Sequence, residues 1–182
     1  MDAPLLLETL IRRTGLEASH ARTLQRLEPR MAPIAPEVSL AFYDYLGRDP
    51  EMHTILWAVP GRVERLYGKF AEWYREIFTG RYDAEYAEKR KRVGLVHALV
   101  GVKPSFIMPA MGIVQELSLE HLRNCLRGPE VFSAVEAFEK IMAIESSLMQ
   151  DSYMMALEQG LRAGASPPEA LKVGAKELLE TV

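Results

Sequence analysis

Cysteine is almost missing from this chain of 182 residues: Cys125 stands alone. That excludes an internal disulfide framework and any CxxC metal site, and Cys125 itself reads as a small buried hydrophobe in a reducing compartment. An excess of either charge is missing too. Twenty-two Lys and Arg oppose 25 Asp and Glu, for a net charge of −3, so no global field draws the chain to nucleic acid or to anionic lipid, and neither is expected as a partner. No apolar run is long enough to cross a bilayer. The longest uncharged stretch, from Pro104 to Gln115, is broken by Pro109 and falls well short of the ~20 residues a spanning helix needs. The first residues, Met1-Asp2-Ala3-Pro4-Leu5-Leu6-Leu7-Glu8, lack the basic segment of a secretory signal, which points to a cytoplasmic protein. Threonine is scarce and period-two alternation is absent, which argues against strands.

What is present is an ordinary globular composition, 48% hydrophobic and 26% charged, with apolar residues recurring every three or four positions. The fold class is therefore all-α. After Pro60-Gly61, residues Val63, Leu66, Tyr67, Phe70, Tyr74, Ile77 and Phe78 make one apolar face, and Thr79-Gly80 is the stop. Asp83 caps a helix that runs through the charged stretch 85–92 into Val93-Gly94-Leu95-Val96-His97 and ends at Gly101. Long helices are expected from about Pro104 to Leu126 and from about Glu130 to Gly160, split by Gly128-Pro129. Shorter ones are expected over 3–13, 18–30 and 36–48, with a turn or two over 50–56. The segment from Ser166 onward reads as either a short helix or a frayed tail.

Most enzyme chemistry leaves no trace. GxSxG, GxGxxG, a Walker loop, HExxH and an EF-hand loop are all missing. The histidines His20, His53, His97 and His121 are too dispersed for a local metal motif. His97 is set apart by its neighbours, because the helical face of Tyr86, Arg90, Val93, His97 and Val100 turns apolar toward its end. Such an imidazole is either a core residue satisfied by a carbonyl or an axial ligand whose Nε2 binds iron while Nδ1–H is held by an acceptor.

The surrounding pattern favours the ligand. Gly80, Tyr82, Asp83, Tyr86, Lys89 or Arg90, Val93, Gly94, His97, Gly101, Val102 and Pro104 follow the order Gly-x-Tyr-Asp-x-x-Tyr, Arg-x-x-(Ile/Val)-Gly-x-x-His, Gly-(Leu/Val)-x-Pro. Phe42-Tyr43-Asp44 lies upstream, and an Ile-Glu-x-x-Leu-x-x-Asp-x-Tyr stretch covers 144–153. Together they resemble the globin-coupled sensors, relatives of the protoglobins, from about Leu16 to Leu157. The resemblance implies a globin fold of about eight helices with an extra N-terminal helix and long C-terminal G and H helices. It also implies haem b as cofactor and His97 as proximal iron ligand, with Phe42, Leu66, Phe70 and Val93 lining the cofactor. A distal tyrosine should donate a hydrogen bond to the gas. Tyr43 and Tyr45 compete for that role because they sit ~200° apart around a helix. The Phe-Tyr-Asp match favours Tyr43, while the stripe Ile34, Val38, Phe42, Tyr45 would turn Tyr45 inward. Leu66 faces the ligand without donating.

The reading that follows is a gas sensor or signal input module that binds O2, or CO or NO, reversibly and is not an enzyme. A haem enzyme such as an NO dioxygenase or peroxidase is one alternative, and a haem-free globin-fold interaction module is another. A homodimer is implied through the G and H helices, along Phe132, Val135, Phe138, Met142 and Met149, together with a separate signalling partner. Residues 1–162 are assigned to the sensor domain, with 1–15 as a helical extension, and 163–182 to a tail or the start of a linker. That tail is too short for an output domain of typical size. Lys89-Arg90-Lys91-Arg92 reads mainly as a solvated face. Ser105-Phe106-Ile107-Met108 departs from the family, which often carries an aromatic hydroxyl there.

Overall fold

A computed structural model describes residues 2–181. Among them are nine α-helices and no strand: α1 (Ala3–Thr14), α2 (Ala18–Met31), α3 (Ala35–Gly47), α4 (Pro50–Leu56), α5 (Arg62–Ile77), α6 (Ala84–Val100), α7 (Pro104–Cys125), α8 (Pro129–Arg162) and α9 (Pro167–Glu180), with a short 3-10 turn at Ala32–Ile34. The helix ends follow the chemistry of their sequences. Asp49 accepts hydrogen bonds from the Glu51 and Met52 backbone N–H groups ahead of Pro50, and Asp83 accepts one from Tyr86 N at 3.1 Å. Helix α6 ends at Gly101, whose φ of 89° is open to glycine at little cost. Helix α7 runs through Pro109 without a break, losing only the ladder bond that the missing N–H would have made to Ser105. No helix among the described residues is long and apolar enough to cross a membrane.

Two compact units make up the chain. The first gathers the described residues of 1–13, 82–108 and 143–182, and the second 14–81 and 109–142. In the first, α1 buries Leu6, Leu7 and Leu10, α6 buries Leu95 and Ala98, and α8 buries Ile144, Leu148 and Tyr153. In the second, α3 packs on α5, and a run of rings continues from Phe42 and Tyr43 through Phe70, Tyr74 and Phe78 to Phe138. Of the two readings left open for the C-terminal segment, the helix is the one present: α9 is 14 residues long and packs on α6.

Two expectations are corrected. Cys125 is exposed, because Leu122 and Leu126 take the buried side of that turn. Arg90 is no part of a solvated face, since its side chain is 3% exposed; Lys89 and Lys91 pair with Glu85 and Glu88 on the surface instead.

Candidate functional site

His97 lies on α6, one turn beyond Val93. Its Nδ1 is 2.7 Å from the Val93 carbonyl oxygen, and since a carbonyl can only accept, Nδ1 carries the proton and donates. The lone pair is thereby left on Nε2, which no hydrogen bond reaches among the described residues. Burial lowers the imidazole pKa below its ordinary value, and the bond to Val93 opposes that shift. The residue is half-buried, and no sealed, unpartnered side-chain nitrogen or oxygen exists among the described residues, so Nε2 is open to a small neighbour. No cluster of three His, Cys, Asp or Glu residues that could hold a metal ion occurs among them. The neutral, oriented imidazole fits haem iron as an axial ligand.

Helix α6 is tied to α8 on both sides of His97. Two turns before it, Arg90 Nε donates to Glu145 at 2.8 Å to Oε1 and 3.2 Å to Oε2, with both side chains 3% exposed or less. The Tyr86 hydroxyl donates to the same carboxylate, and the Arg90 guanidinium sits 4.0 Å from the Tyr86 ring centre. Burial, and next the Glu145 charge, keep the Tyr86 phenol well above its ordinary pKa. Five residues after His97, the Val102 carbonyl accepts a bond from the Tyr153 hydroxyl at 2.8 Å. Between these ties, at Gly94, a Cβ would fall 2.5 Å from Ser152 Cβ, so only glycine lets the helices meet so closely. The sequence reading matched Arg90 and the 144–153 stretch to a pattern but did not foresee that they meet. The signal available in the sequence was Arg90's place on the helical face of Tyr86, Val93 and His97.

In the second unit, α3 and α5 bring three expected residues together, Phe42, Tyr43 and Phe70. Tyr43 is 8% exposed and Tyr45 is 42% exposed, so of the two phenols Tyr43 is the inward one. Val38, Tyr43 and Leu46 form the buried stripe of α3, which rotates Tyr45 outward. The Tyr43 ring lies 5.1 Å from that of Phe42, 5.5 Å from Tyr67 and 6.0 Å from Phe70. Burial, followed by the neighbouring Tyr67, raises its pKa, so the hydroxyl stays protonated. No hydrogen bond engages that hydroxyl among the described residues, and it is not sealed off. Phe42 and Phe70 lie 4.7 Å apart, and Leu66 is half-buried on α5. A neutral donor with nothing to donate to, walled by rings, suits a small polar ligand.

The other candidates take structural places. His20 Nδ1 accepts from Glu17 N at 2.9 Å at the start of α2, His53 stacks on Trp57, and His121 donates to the Arg30 carbonyl. Along the stripe expected at a dimer seam, Phe138, Met142 and Met149 are buried in the chain itself, whereas Phe132 is 79% exposed.

The family model described as Protoglobin matches residues 5–159. The heme-based aerotactic transducer HemAT of Halobacterium salinarum is 24% identical over 160 residues, covering 81% of this chain and 32% of that protein. The chain thus spans about a third of that relative. Among solved structures, the globin domain of a Geobacter sulfurreducens globin-coupled sensor superposes with a TM-score of 0.76 at 26% identity, covering 80% of this chain and 96% of that one. The helices accordingly follow the globin fold.

Proposed function

The chain belongs to the protoglobin family and is a globin of the globin-coupled sensor kind, and from that membership we propose that it binds haem b through His97 and serves in the cytoplasm as a sensor of a diatomic gas, O2 first. The observation that carries this reading is the bond from His97 Nδ1 to Val93, which leaves Nε2 as the coordinating atom. Haem, when bound, supplies the iron that holds the gas.

Everything else is the work of the chain. Val93 and the apolar end of α6 keep His97 neutral and in one orientation. Tyr43, a phenol held protonated by its surroundings, donates a hydrogen bond to the gas ligand. A bond to a partly charged acceptor is worth roughly 1.5–3 kcal/mol, about ten- to a hundredfold in retention, and favours O2 over the less polar CO. Leu66, Phe42 and Phe70 exclude water and offer no competing donor. Self-association along the long helices belongs to the same reading, with Phe132 the exposed member of the expected seam. The reading is one of sensing rather than catalysis, in keeping with the relatives named as a transducer and a sensor.

Reconstitution with hemin tests it. The wild-type chain is expected to give a Soret band that His97→Ala loses; no band from the wild type, or an unchanged band from the variant, overturns the assignment.

A further inference from the structure

Helix α9 lies beyond the stretch that the family model matches, yet its docking is specific. Ala156 and Gly160 on α8 face Ala170 and Gly174 on α9, small residues four apart on each helix. A Cβ on Gly160 would fall 1.9 Å from the Ala170 carbonyl oxygen, and one on Gly174 would fall 1.9 Å from that of Ala156. The two backbones are in contact there, an approach that only glycine allows. One turn beyond Gly174, Glu177 accepts a bond from Gln159 of α8 at 2.8 Å.

The same helix also lies along α6. Lys172 reaches over Gly101, where a Cβ would meet its Cε at 3.3 Å. The divided use of α8 makes this contact consequential. Residues Met149, Ser152 and Tyr153 receive α6, and Ala156 and Gly160, on the next turns, receive α9. The Arg90–Glu145 tie and the Gly94 contact hold α6 on the N-terminal side of His97. On the C-terminal side, Tyr153 holds Val102 and Lys172 of α9 covers Gly101.

We propose that α9 positions His97: docked on α8, it fixes the last turn of α6, so that α9 docking and gas binding are linked equilibria and the chain's own C-terminal helix carries the gas-bound state outward. Linkage is reciprocal, so whatever gas binding does to α9, displacing α9 does in return to gas binding. The linkage to gas rests on the haem reading above; the positioning of α6 by α9 does not.

The experiment uses all 182 residues with Gly174→Leu and the milder Gly174→Ala, and with Lys176→Ala, on the exposed side of α9, as a control. Without haem, hydrogen exchange followed by mass spectrometry is expected to rise in Gly174→Leu at 167–180 and at 97–102, while 18–31 keeps its wild-type protection. Opening of 167–180 with 97–102 unchanged overturns the proposal. With haem, the iron–histidine stretching band of the ferrous protein is expected to move and the CO release rate to change about threefold or more, with Gly174→Ala shifted in the same direction and Lys176→Ala unshifted. An unmoved band and rate in Gly174→Leu overturn it as well. Should neither glycine variant fold, the wild type decides: exchange at 167–180 is expected to differ between the ferrous and CO-bound forms, and identical exchange overturns the proposal. A wild type that takes up no haem, with 97–102 opening alongside α9 in Gly174→Leu, sinks the haem reading and supports the positioning.

Discussion

The unit that carries His97 and the unit that carries Tyr43 are built by opposite means. Around His97 the structure depends on directional bonds: Nδ1 to Val93, Arg90 and Tyr86 to Glu145, and Tyr153 to Val102. Around Tyr43 it depends on ring packing, with Phe42, Tyr67 and Phe70 all within 6.0 Å of its ring centre and the hydroxyl left unspent. The contrast suits the two proposed tasks. A coordinating nitrogen must have its tautomer and direction settled in advance, which hydrogen bonds do. A donor awaiting a ligand must be placed without being satisfied, which only non-directional contacts can do.

The contrast breaks first at Glu145. Glu145→Ala takes the carboxylate partner from the buried Arg90 charge, and urea unfolding should show a loss of about 3–5 kcal/mol; a loss under about 1 kcal/mol would mean the polar frame is dispensable. Tyr43→Phe should speed O2 release about tenfold, yet change unfolding free energy by less than about 0.5 kcal/mol, because the hydroxyl removed has no partner to strand. Flash photolysis and denaturation of the same preparation check both halves, and a stability loss comparable with that of Glu145→Ala would erase the distinction. The smallest effect is on acid stability without haem. His97 has a folded pKa below its unfolded value of about 6.5, so the unfolded chain binds the proton more readily. Its contribution is fully present above about pH 6.5 and is lost as pH falls from there through the folded pKa, at no more than about 1.4 kcal/mol per pH unit. Melting scans should show that slope flattened in His97→Gln. An identical slope would place the titration elsewhere.

The two units also differed in how much the sequence disclosed. Helix ends were legible wherever a local signal exists, as at Asp83 and Gly101, because caps act within three or four residues. The choice between Tyr43 and Tyr45 was not, since the apolar stripe through Phe42 and Tyr45 competed with the one through Val38, Tyr43 and Leu46, and only packing on α5 decides which turns inward. His97 stood out because an apolar helix end leaves an imidazole few neighbours. Arg90 was misjudged for the converse reason: its partner Glu145 is 55 residues away, and four basic residues in a row look alike until one of them finds a buried carboxylate. The docking of α9 escaped because its code is written in the absence of side chains, which no apolar periodicity reports.

That last code can be read in descent as well as in contact. At positions 160 and 174 the space beside the α-carbon is already occupied by a neighbouring backbone, so the amino-acid alphabet contracts there to one letter for as long as α9 stays docked. A lineage that gives up the docking is free to drift at both sites, and one that keeps it can change neither. Two columns of sequence therefore sort sensor globins carrying such a helix into those that hold it and those that have let it go.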